Sequence, residues 1–328
     1  MSQNTVLEIK DLEVELLSEK GPLPVIDKVN LSIKEGEIVG IVGESGCGKS
    51  MLASAIMNLL NSPAKIAAGT IFYAGQDMTT LSPREFQRIR GKDISMIFQE
   101  PMTSLNPLMK VGKQIEEAIK AHEKVSNTEL KERAISAIRD VGIPQPEKVY
   151  HDIPSRLSGG MRQRIMIAMA LVCHPKLLIC DEPTTALDVT IQAQILRLIK
   201  KLRDETNTAV IFISHDMGVI YQMVDRVIVM YAGQFVESAP CKKLFEKPLH
   251  PYTIGLQNAI PQINKQQSSL QDIPGSVPML DNLPEGCLFA PRCPFAKGEC
   301  FTKKVSLKHY DDHDVRCLLV DEGGWHNE

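Results

Sequence analysis

Residues 43–50 read GESGCGKS, and this segment constrains what the chain can fold into more than any other feature of the sequence. It fits the pattern G-x-x-x-x-G-K-[ST] and stands between an apolar run at 37–42 (EIVGIV) and a helical stretch at 51–60. Glycines in such a turn let backbone N–H groups curl around phosphate oxygens, and the following helix directs the positive end of its dipole at the same anion. The alternative is a glycine-rich turn with a solvated lysine, which the flanking elements disfavour.

In a phosphate-binding loop of this kind, two side chains are expected to contact the nucleotide and its metal ion. Lys49 would neutralise the β- and γ-phosphates, and Ser50 would offer its hydroxyl to Mg²⁺. Cys47 is expected to be only a small loop residue. The candidate nucleotide-binding residues are Gly43, Glu44, Ser45, Gly46, Cys47, Gly48, Lys49, Ser50 and Met51. The loop alone leaves kinases, GTPases and many ATPases open.

Short apolar, β-branched runs alternate with amphipathic stretches from about residue 6 to 245, which is typical of a mainly parallel α/β sheet. The strand candidates are 37–42, 177–180, 209–214 and 226–230, the last entering a hairpin through Ala232 and Gly233. The segment from about 82 to 171 is helix-rich and predicts an inserted helical subdomain, with the clearest helical spacing at 127–142. After Glu246 the composition shifts towards proline, glutamine and cysteine, through a polar stretch at 264–269, and predicts a domain boundary.

Charge and hydropathy indicate whether the protein is expected to bind nucleic acid or to span a membrane. The 37 basic and 40 acidic residues form no long like-charge run, so there is no electrostatic reason to expect nucleic-acid binding. The start of the sequence has no secretory signal, and the longest apolar run, at 165–173, is shorter than the roughly 20 residues that span a bilayer. Any membrane association is therefore expected to be peripheral. Because no export signal is present, the eight cysteines are expected to be reduced thiols in a cytosolic compartment.

Two further segments carry candidate site residues. The run LLICDEP at 177–183 delivers Asp181 and Glu182 at the carboxyl end of a predicted strand, where Asp181 would hold Mg²⁺ through water and Glu182 would act as general base. The alternative is that both carboxylates cap the next helix. The segment LSGG at 157–160 puts Ser158, Gly159 and Gly160 at a helix N-terminus, which is either a second anion site or an ordinary cap by the serine.

Taken together, these segments resemble the nucleotide-binding subunits of ABC transporters. The matching pieces are the loop 43–50, Gln99 in ISMIFQEP, LSGG, LLICDE, the ALD turn ending at Asp188, and SHD with His215, in family order. The resemblance implies a P-loop NTPase ABC cassette with a RecA-like core sheet, an antiparallel β subdomain and an inserted helical subdomain. It implies that two cassettes pair head to tail, so that LSGG of one completes ATP on the loop of the other. By the same resemblance Gln99 senses Mg²⁺ and the membrane partner, His215 contacts the γ-phosphate and Asp188 links the two sites.

A closer resemblance is to the D-type ATPase of bacterial dipeptide and oligopeptide importers, through SMIFQEPMTSLNP at 95–107, LSGGMRQR at 157–164, DEPTTALDVTIQAQIL at 181–196, HPYT at 250–253 and the cysteine-bearing tail. It implies an ATPase domain at 1–249, an extension at 250–328, and peptide uptake at the cytoplasmic face of the cell membrane. The implied partners are a second, F-type ATPase, two transmembrane permeases and an extracytoplasmic substrate-binding protein.

Two alternative functions and two departures from the family pattern accompany this resemblance. The same motor role could serve nickel or glutathione uptake, and the rival from another class is a non-transport ABC ATPase. Such proteins usually carry two cassettes or a long coiled-coil insertion, and this sequence has neither.

Met161 stands where many cassettes have glutamine, and Leu16 or Leu17 replaces the aromatic residue that stacks on adenine.

Four cysteines cluster near the end of the sequence, namely Cys287, Cys293, Cys300 and Cys317. Four thiolates suit Zn²⁺ or an iron–sulfur cluster, although the spacing is not the C-x₂-C of a zinc ribbon. The resemblance to the D-type tail implies a [4Fe–4S] cluster; zinc, metal-free thiols and disulfides remain the alternatives. The other cysteines, Cys173, Cys180 and Cys241, are expected to be packing residues.

Overall fold

The structure is a computed structural model that describes residues 5–99, 104–184, 188–259, 273–321 and 324–325. The polar stretch predicted at 264–269, part of the segment 95–107 and part of the ALD turn lie outside these residues. The described chain forms two compact units. The first unit contains residues 5–7, 33–37 and 73–211, and the second contains 8–32, 38–72 and the residues from 212 onwards.

Strands and helices alternate through both units, as the sequence predicts. The strands are β1 Thr5–Ser18, β2 Gly21–Lys34, β3 Ile38–Val42, β4 Ala64–Tyr73, β5 Gln76–Asp77, β6 Ile94–Ile97, β7 Leu177–Asp181, β8 Ala209–Ile213, β9 Arg226–Tyr231, β10 Gln234–Pro240, β11 Lys308–Tyr310, β12 His313–Val315, β13 Val320–Asp321 and β14 Gly324–Trp325. The helices are α1 Lys49–Ile56, α2 Pro83–Ile89, α3 Val111–Lys120, α4 Asn127–Asp140, α5 Pro146–Val149, α6 Gly159–Leu171, α7 Val189–Thr206, α8 Met217–Met223, α9 Cys241–Glu246, α10 Pro251–Asn258 and α11 Gly298–Thr302. Two 3₁₀ turns, Pro154–Arg156 and Ala290–Arg292, complete the set in the described residues.

The second unit contains the strand order β11-β12-β10-β9-β3, with β3 and β9 parallel. Every residue of β3 is buried, as expected of a strand covered on both faces. The predicted hairpin is present, because β9 and β10 pair as antiparallel neighbours around Ala232 and Gly233. Beyond it, β10 also pairs with β12, so the residues after 250 add strands to this sheet.

The first unit combines the parallel pair β6 and β7 with the predicted helical segment. The helix α4 begins after Ser126, whose hydroxyl accepts a hydrogen bond from the backbone N–H of Glu129. Its apolar face repeats at helical spacing through Leu130, Ala134 and Ile138, all of which are buried. This agrees with the helix that the sequence predicts at 127–142.

Among the described residues, no helix combines the length and apolar character required to cross a membrane. The helix α7 has 18 residues, the most of any helix in the described part of the chain. It carries a polar and an apolar face rather than a uniformly apolar surface, with Ile195, Leu196, Ile199 and Leu202 buried.

We expect Ile138→Ala to destabilise the first unit by about 2–4 kcal/mol, because this side chain is 0% exposed and its loss leaves a cavity between packed helices. Glu132→Ala, on the exposed side of the same helix, is the control and should change the free energy of unfolding by less than about 0.5 kcal/mol. Denaturant unfolding followed by circular dichroism measures both values. Equal effects of the two substitutions would contradict the packing described for α4.

Candidate functional site

The predicted phosphate loop follows β3 and runs directly into α1. Gly43 has no room for a side chain, because a Cβ there would lie 2.2 Å from the carbonyl oxygen of Met230. Gly48 adopts a φ of 109° and is the N-cap of α1, and no side chain caps this helix. The positive end of the helix dipole therefore faces the loop without a carboxylate or hydroxyl cap, which is the arrangement of an anion site.

Lys49 folds back over this loop. Its Nζ donates hydrogen bonds to the carbonyl oxygens of Gly43 at 2.8 Å and Glu44 at 2.9 Å, and the residue is only 5% exposed. Cys47 is buried beside it, with Sγ 3.6 Å from the Lys49 ammonium. Burial raises the pKa of the Cys47 thiol even though the nearby Lys49 charge lowers it, so this cysteine is a neutral packing residue.

Residues from the end of the chain reach the same loop. The hydroxyl of Tyr252 accepts a hydrogen bond from the backbone N–H of Glu44 at 2.8 Å. The guanidinium of Arg292 donates to both carboxylate oxygens of Glu44, at 2.7 and 3.0 Å. Neither residue was predicted from the sequence; HPYT marked the position of Tyr252 without indicating its contact, and no sequence signal marked Arg292.

His215 belongs to the same unit as the loop. The backbone N–H of Ser214 donates to the carbonyl oxygen of Ile41 at 3.2 Å, so His215 follows directly on a segment that lies beside β3. The His215 side chain is exposed. The next residue, Asp216, caps α8 by accepting hydrogen bonds from the backbone N–H groups of Gly218 and Val219.

The acidic pair lies in the first unit, at the carboxyl end of β7. Asp181 is buried, while Glu182 is half-buried and adopts a φ of 46°, a left-handed conformation that is uncommon for this residue type. The side-chain amide of Gln99 donates a hydrogen bond to the Glu182 carboxylate at 3.1 Å. Because β6 and β7 are parallel and Ile97 pairs with Cys180, their carboxyl ends bring Gln99 and Glu182 together.

The LSGG segment forms the N-terminus of α6 in the first unit. Ser158 is the N-cap, and its hydroxyl accepts a hydrogen bond from the backbone N–H of Met161 at 3.3 Å. Ser158 and Gly159 are exposed, and Gly160 is half-buried. The cap that the sequence analysis offered as the alternative is therefore present, and it leaves a glycine-lined helix N-terminus on the surface.

A buried glutamine ties this helix to the turn after the acidic pair. Gln163 is 3% exposed and donates a hydrogen bond from its side-chain amide to the carbonyl oxygen of Pro183 at 2.7 Å. Asp188, which the resemblance predicts to link the two ATP sites, caps α7 by accepting a hydrogen bond from the backbone N–H of Ile191. The sequence analysis did not single out Gln163, since a glutamine within an amphipathic helix carries no signal of such a bond.

The four C-terminal cysteines occupy one region of the second unit. The backbone N–H of Cys287 donates to the carbonyl oxygen of Cys300 at 2.7 Å, and that of Leu319 donates to Cys317 Sγ at 3.4 Å. Burial raises the pKa of Cys317 to about 12, with further contributions from the negative charges of the other three thiolates. Four cysteine sulfurs match the donor type of a zinc or iron–sulfur ligand set. In the part of the chain that the structure describes, however, no three His, Cys, Asp or Glu side chains are arranged to hold a metal ion.

Comparison with known families agrees with these features. The family described as "ABC transporter" matches residues 26–185, which include the loop, Gln99, LSGG and the acidic pair. The family described as "Oligopeptide/dipeptide transporter, C-terminal region" matches residues 236–300. The second match begins within β10 and includes HPYT and three of the four clustered cysteines.

Similar proteins extend over nearly the whole chain. The oligopeptide transport ATP-binding protein AppD of Bacillus subtilis is 49% identical, over 98% of this chain and 98% of its own length. The dipeptide transport ATP-binding protein DppD of Escherichia coli is 45% identical, over 97% and 98%. The solved dimeric ATP-binding cassette MJ0796, bound to ADP and Pi, matches 72% of this chain and 98% of its own, with 29% identity and a TM-score of 0.66. The predicted fold class is thereby confirmed, and the chain belongs to the ATP-hydrolysing ATP-binding proteins of the ABC transporter family.

Proposed function

We propose that this chain is the ATP-hydrolysing subunit of an ABC importer that takes up peptides across the cytoplasmic membrane. The observation that carries the proposal is the loop 43–50, with Lys49 folded over it, in a chain that aligns end to end with oligopeptide and dipeptide transport ATP-binding proteins. We place the chain at the cytoplasmic face of that membrane as a peripheral subunit.

The proposed reaction assigns a role to each group of site residues. The loop amides and Lys49 bind the β- and γ-phosphates, and Ser50, Gln99 and Asp181 would hold Mg²⁺, which supplies positive charge to the phosphate oxygens. Glu182 accepts the proton of the attacking water, and its hydrogen bond from Gln99 supports that role by fixing the carboxylate. His215 contacts the γ-phosphate.

The proposed pairing of two cassettes rests on the exposed helix N-terminus at LSGG. Ser158, Gly159 and Gly160 of one molecule would face the γ-phosphate held by the loop of another, and Asp188 would link the two sites. The dimeric MJ0796 structure supports such pairing in a similar cassette. Because ADP lacks the γ-phosphate that both cassettes contact, hydrolysis loosens the pair, which gives the two states the differential contacts that a ligand-driven switch requires.

The proposed partners are a second ATPase of the F type, two transmembrane permeases and an extracytoplasmic substrate-binding protein. Within the proposed coupling segment 99–107, Gln99 and residues 104–107 are described, and the adjoining Leu108 is 89% exposed. A large apolar side chain exposed at the end of this segment supports contact with a membrane subunit. Gentle extraction of the native complex and identification of its subunits tests this assignment; recovery of the chain without a polytopic protein would contradict it.

Lys49→Ala is expected to abolish measurable ATP binding, because it removes the positive charge at the phosphates and both hydrogen bonds that shape the loop. Lys65→Ala, an exposed lysine of the same unit, is the control and should bind as the unmodified protein does. Isothermal titration calorimetry measures the affinity. Retained affinity in Lys49→Ala would contradict the assignment of the loop.

Glu182→Gln is expected to keep ATP affinity and to lower the steady-state hydrolysis rate by roughly 10²- to 10⁴-fold, because an amide cannot accept the proton of water. Glu117→Gln, an exposed glutamate of α3, serves as the control. Phosphate release from the assembled complex gives the rate, and size-exclusion chromatography with ATP should show more paired cassettes. An unchanged rate would remove Glu182 from its role.

We also propose that Cys287, Cys293, Cys300 and Cys317 hold a [4Fe–4S] cluster, with zinc as the alternative occupant. The burial of Cys300 and Cys317 supports this, as does a backbone N–H that donates to Sγ of Cys317. Ligation would draw the four sulfurs together and stabilise the extension that carries them.

Protein purified without oxygen is expected to contain iron and acid-labile sulfide, both of which Cys293→Ser should remove. Cys173→Ser, a half-buried cysteine in the first unit, is the control and should leave the metal content unchanged. Elemental analysis and visible absorption measure the outcome and separate iron from zinc. Colourless native protein that contains neither metal would defeat the proposal.

A further inference from the structure

Glu44, the second residue of the phosphate loop, is held at three points. Its carbonyl oxygen accepts a hydrogen bond from Lys49 Nζ, and its backbone N–H donates to the hydroxyl of Tyr252. Its carboxylate receives two hydrogen bonds from Arg292, and the two side chains are 28% and 7% exposed respectively. A paired fork of this kind fixes direction as well as charge.

Arg292 is itself fixed by the chain around it. Its guanidinium also donates to the carbonyl oxygens of Ile273, Pro274 and Gly275, at 3.3, 2.8 and 3.2 Å. Burial disfavours the charged form of Arg292, but the hydrogen bonds and negative charge of Glu44 outweigh it and raise the pKa of the guanidinium. The side chain is therefore a permanent, oriented cation.

Three aromatic rings support the turn that carries Arg292. Phe289 precedes the turn Ala290–Arg292 and packs against Tyr231 and Tyr252, with ring centroids 5.3 Å apart in each case. Tyr231 and Tyr252 lie 4.7 Å apart, and all three rings are buried. The cluster joins the end of β9, the start of α10 and the extension, so the position of Arg292 is set by packed side chains.

The charge on Glu44 poses a problem for a loop that binds a triphosphate. Glu44 is part of the loop and its backbone carbonyl accepts a hydrogen bond from the Lys49 ammonium, so an unpaired carboxylate here would add negative charge to a loop that binds an anion. A cation that holds both carboxylate oxygens cancels most of this repulsion. It also fixes the direction in which the carboxylate points.

We propose that Arg292 is a positioning residue for nucleotide binding, which acts by neutralising and orienting Glu44 within the phosphate loop. The inference rests on the proposed role of residues 43–50 in binding ATP. It gives the C-terminal extension a direct part in setting the affinity of the cassette for ATP, through a contact that joins residues 248 positions apart.

The test compares ATP affinity in the full chain for Arg292→Gln, Glu44→Gln and the double variant. Arg292→Gln should weaken ATP binding roughly tenfold, because it leaves Glu44 unpaired near the phosphates. The double variant should return to within about twofold of the unmodified protein, since no charge is left to repel the ligand. The deficit of Arg292→Gln should also shrink at high salt, which a purely structural defect would not do.

Asp312→Asn is the matched control, because it breaks an exposed ion pair with Lys243 in the same unit that does not touch the loop. It should leave ATP affinity unchanged. If Arg292→Gln does not fold, as judged by thermal denaturation, Arg292→Met, which keeps the length of the side chain but removes its charge, provides the same comparison with and without Glu44→Gln.

Wild-type affinity in Arg292→Gln, or a deficit that Glu44→Gln does not relieve, would overturn the inference. Lys49→Ala, measured alongside, distinguishes a failure of the proposed ATP site from a failure of the role of Arg292. If it still binds ATP, the proposed function of the loop fails; if it does not bind while Arg292→Gln binds normally, only the role of Arg292 fails.

Discussion

The backbone of the phosphate loop at 43–50 must lie close to strand β9 in order to form an anion site. The arrangement of the strands in the second unit meets this requirement. The carbonyl oxygen of Met230 would lie 2.2 Å from any Cβ at Gly43, so the loop and the end of β9 are in direct contact. That contact exists because β3 and β9 are parallel and Val42 pairs with Val229. The register of two buried strands thus determines the shape of the anion site.

The two charged residues of the loop, Lys49 and Glu44, are stabilised by partners within the loop and by a distant residue. Lys49 starts a helix, where the dipole disfavours a cation, and two carbonyl oxygens of the loop compensate for this. Glu44 has no such local partner, and Arg292 supplies one. The loop therefore contains a cation, Lys49, that is available to the ligand, and an anion, Glu44, whose carboxylate is bound by Arg292. Of these two residues, only Lys49 is a defining residue of the motif that the sequence displays.

The sequence predicted what local patterns encode. Continuous apolar runs located β3, β7, β8 and β9 to within one residue, and the strand ends explained why Gln99 and Glu182 meet. The contacts of Arg292 with Glu44 and of Gln163 with Pro183 could not be predicted, because each depends on how distant segments pack. The left-handed backbone of Glu182 was equally invisible, since glutamate rarely adopts it and the surrounding structure imposes it.

The C-terminal extension packs against the central sheet and also contacts the phosphate loop. Its strand β12 pairs with β10, and Val315, Cys317 and Val320 of the extension form a buried cluster with Leu249. The turn Ala290–Arg292 lies between Phe289, which packs on the aromatic cluster, and Cys293. Because these residues are consecutive, the residue that holds the carboxylate of Glu44 stands between the aromatic cluster and one of the four clustered thiols. The extension therefore contacts the phosphate loop through a turn whose position is set by packed side chains.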